Sequence, residues 1–156
     1  MTIYPVREGI EYLLTYIRPD AFCKACGKNE AWARQRMKRY KHNSDNDFYY
    51  FSQQDCDLIN ESLSKIADYL ETIRIPNTHS SSNATMARDE IKDMISVIRV
   101  QKVRKELGYN KDRWHDRISE LDERYWFKQE ELMIMRKQIR TVCSILRNMQ
   151  VEYEEV

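Results

Sequence analysis

An all-α chain made of two similar halves is what the sequence predicts, on three observations. The first is internal repetition. Gly27 and Gly108 are 81 residues apart, and the same offset pairs Ile10 with Ile91, Leu13 with Met94, Leu14 with Ile95, Ile17 with Ile98, Arg18 with Arg99, Phe22 with Val103 and Asn29 with Asn110. An offset of 76 pairs Phe51 with Phe127, Asp55 with Glu131, Cys56 with Leu132, Ile59 with Met135, Leu63 with Ile139 and Leu70 with Leu146. Two copies are too few for a solenoid and read as small tandem domains. The second observation is that 156 residues hold only three Gly and three Pro, which starves an all-β fold of turns. The third is apolar residues spaced by three and four.

The elements follow in order. Ile10, Leu13, Leu14 and Ile17 share one helical face over residues 10 to 18. Pro19 suits the first turn of a new helix, 19 to 26, which Gly27 ends as a left-handed cap. Asn29 is a good N-cap for a helix over 30 to 40. A polar loop, 41 to 50, closes on Phe48, Tyr49 and Tyr50. Ser52 and Asp55 resemble a capping box before a long helix whose stripe is Cys56, Ile59, Leu63, Ile66, Ala67 and Leu70. Residues 76–87 carry Pro76, Asn77 and three consecutive serines and read as a linker between a first domain, 1–75, and a second, 88–150. The second copy repeats the order with helices over 89 to 99, 101 to 107, 111 to 121 and 128 to 149. The acidic tail, 151–156, is expected to fray.

Composition narrows the class. Hydrophobic residues at 42% and charged residues at 33% fit a soluble, ordered, helix-rich protein. A net charge of +1 provides no global field that names a partner. No run approaches the ~20 apolar residues that cross a bilayer. Glu8 and Glu11 precede the most apolar N-terminal patch, opposite to a signal peptide. The expected location is cytoplasmic, with the four cysteines reduced and no membrane partner.

A short helix, a glycine turn and a second helix is the helix-turn-helix arrangement, whose second helix enters the major groove in DNA-binding examples. The local charge fits that role. Residues 24 to 42 hold seven cations (Lys24, Lys28, Arg34, Arg36, Lys38, Arg39 and Lys41) against Glu30, a net +6. Residues 99 to 117 hold seven cations against Glu106, Asp112 and Asp116, a net +4. Such clustering is the footprint of a phosphate binder. In this reading Lys28, Arg34, Lys38 and Lys41 anchor phosphates, while Glu30, Ala31, Arg34 and Gln35 face the groove. Lys111, Arg113 and Arg117 do the same in the second copy. Two units in one chain are expected to span successive major grooves, about 34 Å apart.

The segment F-C-K-A-C-G-K-N-E-A-W-A-R-Q-R-M, residues 22 to 37, resembles the helix-turn-helix of phage-repressor (Cro/cI-type) domains. It is more similar still to a family of short bacterial proteins with the motif G-K-[SN]-x-x-W-x-x-[QR]-R before a helix opening on Phe-Ser/Thr. Gly27, Lys28, Asn29, Trp32, Gln35, Arg36 and Phe51 carry the likeness. It departs from the repressor pattern at Lys28 and Tyr109, where an aliphatic residue is usual, and at Arg104, where a small one is. The resemblance implies a transcriptional regulator, linked to a mobile element or phage-like region, that binds double-stranded DNA.

The alternative is a protein-interaction module in which the 52 to 72 and 128 to 149 helices pair within the chain or in a homodimer. Trp32 and Trp114 are expected to plug the core. Tyr40, Phe48, Tyr49 and Tyr50, with Tyr125 and Trp126, are expected to pack or to form an interface. Cys23 and Cys26 form a C-x-x-C without a second pair, short of the four ligands of structural zinc. Cys26 matches Leu107, which marks it as a small hydrophobe, while Cys23 matches Arg104 and is expected nearer the surface. His42, His79 and His115 lack nucleophile and carboxylate companions, and no phosphate-loop or hydrolase signature occurs. No catalysis, cofactor, metal or small-molecule substrate is therefore expected.

Overall fold

Both glycine turns form as the sequence requires. In the computed structural model, residues 1–41, 48–76, 89–118 and 127–155 are described, with 116–118 as backbone alone. Gly27 has φ of 68° and Gly108 of 73°, the left-handed region where a side chain is strained. Each closes a helix in the same way. The Gly27 N–H donates to Lys24 O at 3.0 Å and the Lys28 N–H to Cys23 O at 2.9 Å, while Gly108 reaches Lys105 at 3.2 Å and Tyr109 reaches Arg104 at 2.9 Å. These are the paired bonds of a Schellman cap.

The chain opens with strand β1 (Thr2–Pro5) and helix α1 (Val6–Leu13). Helix α2 (Pro19–Ala25) leads through Gly27 to α3 (Glu30–Lys38). The long α4 (Gln53–Glu71) follows, opened by Ser52 and Asp55 as a reciprocal capping box. In the second half come α5 (described over 89–95), α6 (Val100–Leu107), α7 (Lys111–Ile118), α8 (Gln129–Arg147) and strand β2 (Met149–Glu152). Asn29 Oδ1 accepts from Trp32 N at 2.9 Å, so α3 is capped as predicted, and Asn110 Oδ1 accepts from Arg113 N at 2.7 Å, which caps α7 in the same way. The protein is mostly helical, with one small parallel sheet in which Thr2 pairs with Met149 and Pro5 with Glu152.

Four expectations are corrected. Helix α1 runs Val6–Leu13 rather than 10 to 18, because Pro5 stands at its start and the chain leaves it after Leu13 to make a bridge at Ile17. Helix α5 ends at 95, not 99, for the matching bridge at Ile98. Helix α8 ends at Arg147 rather than 149. The tail does not fray, since Met149–Glu152 is a strand and Val151 is only 2% exposed. The last turn predicted for α7 and the 77–87 portion of the linker lie outside the described residues.

The halves on either side of that segment share one core. Ile10, Ile17, Phe22, Ile59 and Leu63 from the first are buried with Ile91, Met94, Ile98, Leu132 and Met135 from the second. Each such side chain contributes roughly 1.5–3 kcal/mol by leaving water. The joint lies where equated residues meet. Ile17 and Ile98 bridge antiparallel: the Arg18 N–H donates to Val97 O and the Arg99 N–H to Tyr16 O, both at 2.8 Å. Helix α4 lies on α8, where the Cys143 thiol approaches Ala67 O at 3.8 Å and Arg147 pairs with Glu71 at 3.1 Å. Cys143 with Ala67, and Arg147 with Glu71, are each 76 residues apart. Residues that the sequence offsets equate thus touch one another at these three places.

Candidate nucleic-acid interface

The amphipathic arc of α3 sorts its side chains. Trp32 and Ala33 point inward, and the Trp32 ring meets Phe51 edge-on with centroids 5.4 Å apart. The opposite arc carries Glu30, Arg34 and Lys38, all exposed, with Ala31 and Gln35 half-buried at its margin. Lys28 lies exposed at the turn, its Nζ 5.9 Å from the Trp32 ring, and Lys41 is exposed where it bridges Phe48. Glu30, Ala31, Arg34, Gln35 and Lys38 thus lie on the side of α3 away from Trp32 and Ala33, while Lys28 and Lys41 lie just outside its two ends.

Two cations of that segment turn inward instead. Arg36 stacks on Trp32 at 5.4 Å and on Tyr49 at 5.6 Å, donates to Trp32 O at 3.2 Å, and holds its Nε 3.5 Å from Asp55. Arg39 caps α3 with φ of 50°, and its guanidinium lies 3.5 Å from Glu154. The local excess therefore shrinks: Lys24, Lys28, Arg34, Lys38 and Lys41 remain exposed against Glu30. Neither neutralising acid is near in sequence, which is why counting charges along the chain overstates the field.

The matching segment of the second half is less open. Lys102 sits 4.7 Å over Tyr16, and Arg99 donates through Nε to Leu14 O. Arg113, although exposed, rests 4.2 Å over Tyr109. Lys105 and Lys111 are exposed, but so are Glu106 and Asp112. The Arg117 side chain lies outside the described residues. Glu30 and Lys111, the first residues of α3 and α7, line one cleft of about 650 Å³. The first turns of the two helices therefore border a common cleft.

The tryptophans are core residues as expected, Trp32 at 8% and Trp114 at 7% exposure. Among the aromatics around the 41 to 50 loop, Tyr49 packs over Arg36. Tyr40, Phe48 and Tyr50 stay 42–48% exposed. Tyr125, Trp126, His42 and His79 lie outside the described residues, and His115 is exposed on α7.

All four cysteines are buried and free. Cys23 is not nearer the surface: α2 turns it inward beside Phe22, and burial pushes its thiol up to about 11. Burial likewise raises Cys56 to about 11 and lifts Cys26 and Cys143, so these groups behave as packing side chains. Among the described residues, no three His, Cys, Asp or Glu side chains gather as a metal site would require, and no helix is long and apolar enough to cross a membrane. Compared with known proteins, the chain matches no protein family, no curated protein and no solved structure.

Proposed function

We propose that the chain is a duplicated helix-turn-helix protein that binds double-stranded DNA through the exposed arc of α3. The observation that carries this reading is that Lys28, Arg34, Lys38 and Lys41, in α3 or within three residues of its ends, are all exposed, with Glu30 the one acid among the described residues of that segment. Arg and Lys at such spacing neutralise successive phosphates, while Gln35 and Arg34 suit adenine or guanine edges. The matched caps at Gly27 and Gly108, and the contacts between residues 81 or 76 apart, support duplication. In this reading α6 and α7 act chiefly as the structural partner of the first unit, since the second copy's cations are packed on rings or balanced by acids. The regulatory role, and its mobile-element setting, rest on the resemblance to repressor domains.

A second reading, a protein-interaction or homodimer surface, is favoured by the exposure of Tyr40, Phe48 and Tyr50 at one end of α3. A gel shift against random duplex separates the two. DNA binding predicts a shift at low salt that fades steeply between about 50 and 200 mM. An interaction surface gives no shift, and a mass that rises with protein concentration at every salt level.

A further inference from the structure

We infer that the exposed aromatics beyond the C-terminal end of α3 form a stacking platform for the unpaired bases of a single nucleic-acid strand. This surface shares lysines with the reading above but not its duplex partner. Tyr40, Phe48 and Tyr50 are 48%, 47% and 42% exposed, and anchored neighbours hold them there. Lys41 and Phe48 are antiparallel partners, and the Tyr49 N–H beside them donates to Tyr40 O at 2.8 Å. That flanking bond makes Lys41 and Phe48 a non-hydrogen-bonded pair, the closer of the two kinds. Their side chains leave the backbone on one face, roughly 5 Å apart at Cβ, so an ammonium stands beside an exposed ring. Tyr49 is half-buried with Arg36 over its ring at 5.6 Å, and Phe51 is buried against Trp32. Phe48 and Tyr50 therefore alternate with two residues that are fastened to the body of the protein.

The cations decide which partner such rings fit. Lys38 and Lys41 lie on either side of Tyr40 in the chain, both exposed, and neither meets an acid among the described residues. Lysine is depleted in the cores of protein interfaces, and a two-fold contact between copies would set these lysines against their own kind. A strand of nucleic acid matches both parts of the surface: its phosphates suit Lys38 and Lys41, and its base faces suit Tyr40, Phe48 and Tyr50. A duplex hides those faces inside its stack, so exposed rings select bases that are unpaired.

The test is fluorescence anisotropy of the full chain with three labelled probes: a thymidine strand of about 12 nucleotides, the same strand made abasic, and a duplex of equal length. The thymidine strand should bind at least about five-fold more tightly than the abasic one. Phe48→Leu and Tyr50→Leu should each weaken it by a similar factor at unchanged salt slope, while Lys41→Gln should lower that slope by about 0.7. Both rings are exposed, so these replacements keep the fold; Tyr69→Leu, a ring 44% exposed on α4, should change binding less than two-fold. Equal affinity for the thymidine and abasic strands would overturn the inference, as would unchanged binding in Phe48→Leu. So would a mass that rises with protein concentration in the wild type but not in Phe48→Leu, since the rings would then join copies of the chain. Binding of the duplex alone would end this inference and leave the reading of α3 standing, and binding of the thymidine strand alone would do the reverse.

Discussion

The side-chain amide of Asn60 pairs with both backbone groups of Val151. Its Nδ2 donates to the Val151 carbonyl at 2.9 Å, and its Oδ1 accepts from the Val151 N–H at 2.8 Å. One residue on α4 thus plays the part of a neighbouring strand and fastens β2 to the long helix. Asn60→Ala leaves a donor and an acceptor unpaired at a buried position, which should cost about 1–3 kcal/mol in a chemical denaturation series. A loss below a few tenths would mean that water replaces the amide without penalty.

Gly9 lies where α1 crosses the sheet. A Cβ there would stand 2.6 Å from Val151 Cγ1 and 3.0 Å from Tyr4 Cβ. Helix propensity alone would make Gly9→Ala stabilising by up to about 1 kcal/mol. Overpacking of this kind typically costs about 1–3 kcal/mol, so the clash should win and the melting temperature should fall. Adding Val151→Ala should recover part of the loss, a non-additive result that a double-mutant cycle measures.

Gly27 and Gly108 present a different case. Nothing lies within 4 Å of a Cβ built on either, so Gly27→Ala and Gly108→Ala test backbone strain alone. Each should destabilise by about 1 kcal/mol, and the two should add, being held by identical caps in separate turns.

Glu154 accepts from Arg7 at 3.0 Å and faces Arg39, and these partners hold its carboxyl below the usual range. A depressed folded value means that the contribution is present above the ordinary carboxylate value and disappears as pH falls through the folded one. Both partners are partly solvated, so about 0.2–1 kcal/mol is at stake. Glu154→Gln should flatten stability against pH in the acid range, measured by thermal melts from pH 6 down to 3.

For the DNA reading, Arg34→Ala and Lys38→Ala should each lower duplex affinity at low salt and reduce the slope of log affinity against log salt by about one. Arg36→Ala should act otherwise. It removes the side chain layered between Trp32, Tyr49 and Asp55, so the melting temperature should fall, with little change in salt slope while the fold persists.

Local chemistry was readable and distant pairing was not. The Gly27 and Gly108 caps, the Asn29 and Asn110 N-caps and the Ser52–Asp55 box each act within a few residues, so a linear reading finds them. The burial of Trp32 and Trp114 follows from size. By contrast β1 and β2 are four residues each, and they are legible only once 2–5 and 149–152 are known to meet. Arg36 and Arg39 look like free cations until Asp55 and Glu154 arrive from elsewhere. The sequence offsets of 81 and 76 did not foretell that Ile17 would meet Ile98 or Arg147 meet Glu71, because an offset between two segments carries no information about the distance between them.

Pairing of β1 with β2, so far apart along the chain, sets an order on biosynthesis. While the chain is being made, Thr2–Pro5 has no partner until Met149–Glu152 has emerged, and α1 lacks the cover that Val151 gives it. β1 must therefore wait with an unclosed edge until everything between it and β2 has been made. Contacts so remote along the chain form late and slowly. A nascent chain stalled before β2 should thus be the species most prone to capture by chaperones or to clumping with its neighbours.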